Sequence, residues 1–174
     1  SAAGTGIWMT MIERPTDPAA VEVLAIRLDM QAAAALDRFV DGMVRLKWPN
    51  DLYLGDGKLC GILVETRWRE QRIDWVAVGL GVNVRMPRDV PHAAALRDGT
   101  SRVRVLETLV RAVRSAAAAR GALRESELAE FAARDLARGR RCREPAPGVV
   151  QGIDAGGSLL VHTPVREVAC RSGS

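Results

Sequence analysis

The side chains best suited to charge chemistry are concentrated in a short stretch of the chain. Of 25 Lys and Arg residues only two are lysine, Lys47 and Lys58, and only two asparagines occur, Asn50 and Asn83. Arginine and alanine dominate elsewhere, as expected of a coding bias that drains Lys and Asn. A lysine that survives such a bias marks a position where arginine cannot substitute. Arginine is a wide planar fork that stays charged, whereas lysine is a compact point charge on a flexible stem. A fixed point charge stabilises negative charge that develops during acyl or phosphoryl transfer. Asp51 follows the turn Trp48-Pro49-Asn50, where a carboxylate could orient a reacting group or accept its proton. Gly61, Gly79 and Gly81 let backbone approach a ligand closely. Each residue also has a plainer reading. Lys58 could be solvated beside a hairpin turn, Asp51 could cap a turn, Gly61 could mark a strand bend, and Lys47 and Asn50 could brace the turn.

These residues need a scaffold of strands. Met43–Trp48 alternates apolar and basic residues, a strand pattern. Asp51–Leu54, the turn Gly55-Asp56-Gly57 and Lys58–Trp68 read as a hairpin. Ile73–Leu80 is a valine-rich strand, and Ile7–Ile12 is a short apolar run readable as a buried strand. Apolar residues from Pro18 to Val40 recur at helical spacing. Further helices are predicted from Ser101 to about Arg120 and from Ser126 to Ala137. Residues 84 to 100, with two prolines and several charges, read as a mobile loop. Beyond Pro145-Ala146-Pro147-Gly148, the runs Val149–Ile153, Leu159–His162 and Val165–Ala169 are short strands. The fold class is therefore α+β: a mixed, largely antiparallel sheet with helices on one face, followed by a small β domain. The division falls at residues 1–138 and 139–174.

Composition narrows the function. Cys60, Cys142 and Cys170 are widely spaced, with no CxxC and no nearby histidine pair, so no metal site of the protein's own is expected. His92 and His162 lack partner spacing for a metal or a triad. There is no run of about 20 apolar residues, so no membrane span is expected. The net charge of +4 and pI of about 9.5 come from arginines mixed with 21 acids, a solvated mixed surface rather than a nucleic-acid footprint. Gly79-Leu80-Gly81 lacks the third glycine of a dinucleotide fingerprint.

Three linked strings carry a resemblance: Lys47-Trp48-Pro49-Asn50-Asp51, Lys58-Leu59-Cys60-Gly61-Ile62-Leu63-Val64-Glu65, and Gly79-Leu80-Gly81-Val82-Asn83. In this order and spacing they resemble the catalytic domain of the biotin protein ligases. The resemblance implies a biotin/lipoate ligase-like fold with an SH3-like β-barrel at the C-terminal end. It implies ATP-dependent formation of biotinyl-5'-AMP and transfer of biotin to a lysine of a biotin carboxyl carrier protein or domain. ATP and biotin are then substrates, with Mg2+ accompanying ATP. Lys58 and Asp51 take catalytic roles, and Lys47, Asn50, Gly61, Ile62, Leu63, Gly79, Gly81 and Asn83 line the substrate and adenylate. Residues 84 to 100 correspond to a loop that folds over the adenylate. The family also has a Ser-Thr-Asn segment and a glycine-arginine loop upstream of the first strand, neither of which falls within these 174 residues. The expectation is an upstream part of a normal enzyme, without which the stretch binds biotin weakly or not at all. No helix-turn-helix is present, so DNA binding is not expected. A cytoplasmic setting is implied, and a homodimer stays open. Two alternatives are a lipoate-type ligase and a non-catalytic, dimerising relative. The KWPND and GILVE strings favour biotin over lipoate.

Overall fold

The computed structural model describes residues 5–88 and 90–171. Residues 1–4, 89 and 172–174 lie outside it, and with them part of the 84–100 segment. In chain order the elements are β1 (Gly6–Glu13), α1 (Pro18–Glu22), α2 (Leu24–Leu36), β2 (Arg45–Lys47), β3 (Asp51–Leu54), β4 (Gly57–Arg69), β5 (Arg72–Asn83), α3 (Arg102–Ala118), α4 (Glu125–Arg134), β6 (Arg141–Cys142), β7 (Gly148–Ile153), β8 (Leu159–His162) and β9 (Glu167–Cys170). The α+β expectation is met. One five-stranded sheet runs β1-β5-β4-β3-β2 and a second, four-stranded sheet runs β6-β7-β8-β9. Every strand pairing within them is antiparallel. Among the described residues β6 and β9 do not pair, so the second sheet is open rather than a closed barrel.

The helix starts follow local chemistry. Asp17 accepts from the Ala19 N–H at 3.0 Å and Pro18 opens the first turn of α1, the usual pairing of a side-chain cap with a proline that lacks the donor. The long apolar period from Pro18 is broken at Val23 (φ −107°, ψ 8°), which divides it into α1 and α2. α2 is apolar on most of its circumference, with Leu24, Ile26, Leu28, Met30, Ala32, Ala33 and Leu36 all buried. Such a helix must be covered on both sides. It lies between α3 and the sheet, where Val76, Val78, Leu80 and Val82 of β5 and Ile62 of β4 point into the same core.

The opposite face of the five-stranded sheet is open. β1 is not a wholly buried strand as its apolar run suggested. Ile7 is buried while Trp8 is 60% and Ile12 50% exposed, because a strand turns alternate side chains to opposite faces. The small sheet has its own core of Ala146, Val150, Leu159 and Val161. Trp48 packs against both cores, and its indole Nε1 donates to the Gly157 carbonyl at 3.1 Å. The turn between β2 and β3 is thus held by the second sheet.

Candidate active site

Register gathers the chemistry into one row. Lys47 pairs with Asp51, Asp51 with Gly61, Gly61 with Gly81, and Gly81 with Trp8, crossing all five strands. The next row joins Leu63, Gly79 and Thr10. Directly opposed residues project to the same face of a sheet, so these positions share the open face. They border a cleft of about 550 Å³ lined by Trp8, Thr10, Asp51, Lys58, Gly61, Leu63, Gly79 and Gly81, among others.

Lys58 reaches this face through an irregularity. Strict alternation back from Gly61 would point Leu59 outward and Lys58 into the core. The β3–β4 register shifts between Leu52 and Tyr53, so that Tyr53 pairs with Lys58 and Leu59 is left over. Leu59 and Cys60 are then both buried and Lys58 emerges. A β-bulge re-aims a side chain in this way. The Lys58 ammonium meets Asp51 Oδ1 at 2.5 Å, with the lysine side chain 47% exposed.

The glycines keep the floor clear. A Cβ at Gly61 would lie 3.4 Å from Lys58 Nζ and 3.6 Å from Asp51 Oδ1. A Cβ at Gly81 would lie 3.5 Å from the Trp8 indole, and one at Gly79 3.7 Å from Leu63 Cβ. None of these is a severe clash, but any longer side chain would fill the cleft.

The remaining sequence candidates fall in different places. Asn50 donates to the Ile62 carbonyl at 2.7 Å and its own carbonyl accepts from Ile62 N–H at 2.9 Å, which straps the turn to β4 beside Asp51. Asn83 spends its amide donors on the Lys58 and Ala94 carbonyls, at 3.1 and 3.0 Å. It therefore positions the Lys58 backbone and the 84–100 segment. Ile62 faces the core with its side chain and offers only backbone to the cleft. Lys47 lies over the Tyr53 ring, 5.2 Å from its centroid, and does not line the cleft.

Sequence reasoning missed several neighbours. Trp8 and Thr10 line the cleft, hidden by the nearly continuous apolar run of Ile7–Ile12; counting in twos would have exposed them. Tyr53 and His92 line a second cleft of about 340 Å³ that shares Lys58, Gly61 and Gly81 with the first. His92 has φ of 53°, and its carbonyl accepts from Lys58 N–H at 2.7 Å. The 84–100 segment is tied down here, since Ala94 N–H also donates to the Lys58 carbonyl and Leu96 N–H to that of Asn83.

Asp29 of α2 is buried, and neither carboxylate oxygen has a hydrogen-bond partner. Burial pushes its pKa well above the usual carboxylate range, and the Asp51 charge adds to the shift. Burial likewise pushes the Cys60 thiol up, aided by Asp29 and Asp51, so Cys60 is an inert core residue. Among the described residues no group of three or more His, Cys, Asp and Glu is gathered to hold a metal. No helix among them is long and apolar enough to cross a membrane.

Against this geometry, residues 3–83 match the profile of the Biotin/lipoate A/B protein ligase family. Over these residues the chain is similar to that family. It is 31% identical over 140 residues to the biotin--[acetyl-CoA-carboxylase] ligase of Mycobacterium tuberculosis, an alignment covering 74% of this chain and 51% of that protein. It is 37% identical over 89 residues to the bifunctional ligase/repressor BirA of Escherichia coli, covering 51% of this chain and 28% of BirA. The chain therefore spans between a quarter and about half of these relatives. The fold matches the biotin protein ligase of Aquifex aeolicus with a TM-score of 0.79 at 20% identity, over 97% of this chain and 80% of that one. The Aquifex aeolicus enzyme has also been solved in complex with biotin and ATP.

Proposed function

We propose that the protein is an ATP-dependent biotin protein ligase. The carrying observation is the Leu59 bulge, which brings Lys58 onto the glycine-floored face beside Asp51. The apolar cleft walls at Trp8 and Leu63 suit the ring and alkyl chain of biotin, and the second cleft beyond Lys58 suits the nucleotide. In the first step a biotin carboxylate oxygen attacks the α-phosphorus of ATP, and the bond to the leaving pyrophosphate breaks. Lys58 stands between the two clefts and stabilises the negative charge gathering on carboxylate and phosphate. In the second step the amine of an acceptor lysine attacks the biotinyl carbonyl carbon, AMP departs, and the amine loses its proton to Asp51. Asp51 is paired with Lys58 in the free protein, and Lys58 turns to the anionic substrate when it binds. The divalent ion we assign to the triphosphate rather than to a protein ligand set. The acceptor is a carrier domain presenting a lysine to the open face. Residues 1–138 are read as the catalytic unit and 139–174 as an SH3-like module.

The relatives' names and the matching fold support this reading. Biotin-dependent exchange of labelled pyrophosphate into ATP tests it. Lys58→Ala should slow exchange by about 100-fold, the loss typical of one positioned transition-state donor, with little change in melting temperature because Lys58 is half exposed. Lys58→Arg should recover part of the rate. Full exchange by Lys58→Ala, or none by the parent protein, would overturn the proposal.

A further inference from the structure

The small sheet carries a third cleft on its outer face, which shares no lining residue with the other two. Its volume is about 720 Å³, and its lining includes Arg141, Arg143, His162 and Thr163 together with Pro147 and Pro164. The sheet explains the convergence. Arg141 pairs with Val149, and Val149 with His162, so the three share one face across β6, β7 and β8. Cys142 alternates to the other face, where it packs on the small core. Arg143, just past the strand, lines the cleft together with Arg141. Gly148 permits the closeness of these strands, since a Cβ there would sit 2.4 Å from the His162 carbonyl oxygen. The proline walls have fixed φ, so the cleft is largely preformed.

The two arginines are not committed to structural contacts. Arg141 and Arg143 make no side-chain hydrogen bond or ion pair among the described residues, and neither does Arg140 beside them. Elsewhere the chain uses arginine as a structural tie, as Arg27, Arg45, Arg97 and Arg134 show. Glu167 pairs with His162 and shares its face on the side away from the arginines, but neither it nor Glu144 lines the cleft. Two guanidinium forks and an imidazole at one mouth form a donor set for a tetrahedral dianion, because arginine matches phosphate oxygens with paired N–H groups. Pro147, Pro164 and Val149 offer an apolar wall to whatever carries that anion.

We propose that this cleft binds a phosphomonoester attached to an apolar or aromatic body, through Arg141, Arg143 and His162. The source is either a free metabolite or a phosphorylated side chain of another protein, which present the same group. The test is amide chemical-shift mapping of the isotopically labelled chain titrated with phenyl phosphate, at about 0.15 M salt so that diffuse attraction is screened. Saturable shifts are expected at Gly148, Val149, His162 and Thr163, with none at Gly61, Gly79 or Gly81. Arg141→Gln/Arg143→Gln should weaken binding by at least about tenfold, the loss expected for charge-assisted hydrogen bonds, while the remaining spectrum superimposes. Arg138→Gln/Arg140→Gln should leave it unchanged. Benzoate should bind more weakly than phenyl phosphate. A phosphotyrosine peptide that outbinds phenyl phosphate would point to the protein source, and equal affinity to the metabolite. Unsaturable shifts, shifts confined to the ligase cleft, or equal binding by the Arg141/Arg143 variant would overturn the proposal, as would benzoate binding as well as phenyl phosphate. None of these outcomes depends on ligase activity.

Discussion

Arg27 offers a quantitative test of how the scaffold beneath the site is held. Its side chain is only 3% exposed. It donates to both Glu127 oxygens, at 2.7 and 3.2 Å, and to the Gly121 and Ala122 carbonyls at 3.0 and 2.9 Å. The side-chain hydrogen bond from Arg27 lowers the Glu127 pKa from 4.5 to about 2, against the opposing effect of burial. A depression of about 2.5 units, at ~1.36 kcal/mol each, corresponds to about 3 kcal/mol of stability. This agrees with the ~3–5 kcal/mol lost when one partner of a buried pair is removed. The sign follows from proton binding. The unfolded chain takes up a proton near its ordinary value, so the contribution is complete above that value. It is lost as pH falls through the folded value of about 2. Glu127→Gln keeps the shape and removes the charge. Urea denaturation should show it about 3 kcal/mol less stable than the parent at about pH 7, and the gap should shrink by roughly 2 kcal/mol at about pH 3. A gap below ~1 kcal/mol at neutral pH, or one that ignores pH, would refute the assignment.

Further outcomes concern the site itself. Gly61→Val should slow adenylate formation by about 100-fold, because its methyl groups would displace Lys58 and Asp51 from their contact; an unaffected rate would show that the floor tolerates bulk. Trp8→Ala should raise the Michaelis constant for biotin by about tenfold through lost apolar contact, while unfolding shifts by no more than ~1 kcal/mol since the indole is mostly exposed in the free protein. Asp29 makes the opposite pH signature to Glu127. Its raised pKa means that its contribution is whole below the ordinary carboxylate value and is lost as pH rises through the elevated folded value. Asp29→Asn, which cannot ionise, should therefore gain stability relative to the parent as pH rises from about 4, and melting curves that keep a constant offset would exclude an ionisable Asp29.

The motif strings were legible because they combine rare residues with strict spacing, and strand register then brings Lys47, Asp51, Gly61 and Gly81 into one row. The two long helices followed from apolar period, although the α1–α2 break at Val23 carries no proline or glycine to announce it. What escaped was set by tertiary context. The Leu59 bulge leaves no local mark, since Lys58-Leu59-Cys60 reads as a plain alternating strand. Asn83 lines the second cleft as its motif suggested, but the sequence did not show that its amide donors go to two carbonyls, one of them 25 residues away in the chain. Asp29 sits in an apolar helix where sequence gives no reason to expect an unpartnered carboxyl. The closed barrel expected at the C-terminal end came from family resemblance rather than from the residues, and the described strands form an open sheet instead.

The Trp48–Gly157 hydrogen bond spans 109 residues, and this separation orders events during synthesis. The KWPND turn is translated early, but the groups that seat Trp48 emerge only with β7 and β8. A nascent chain that ends near residue 140 could fold the five-stranded sheet, since domains fold largely as units while the ribosome proceeds, with the turn strapped to β4 by Asn50 but Trp48 still unseated. The final setting of this turn would then come late, when the small sheet docks against Trp48.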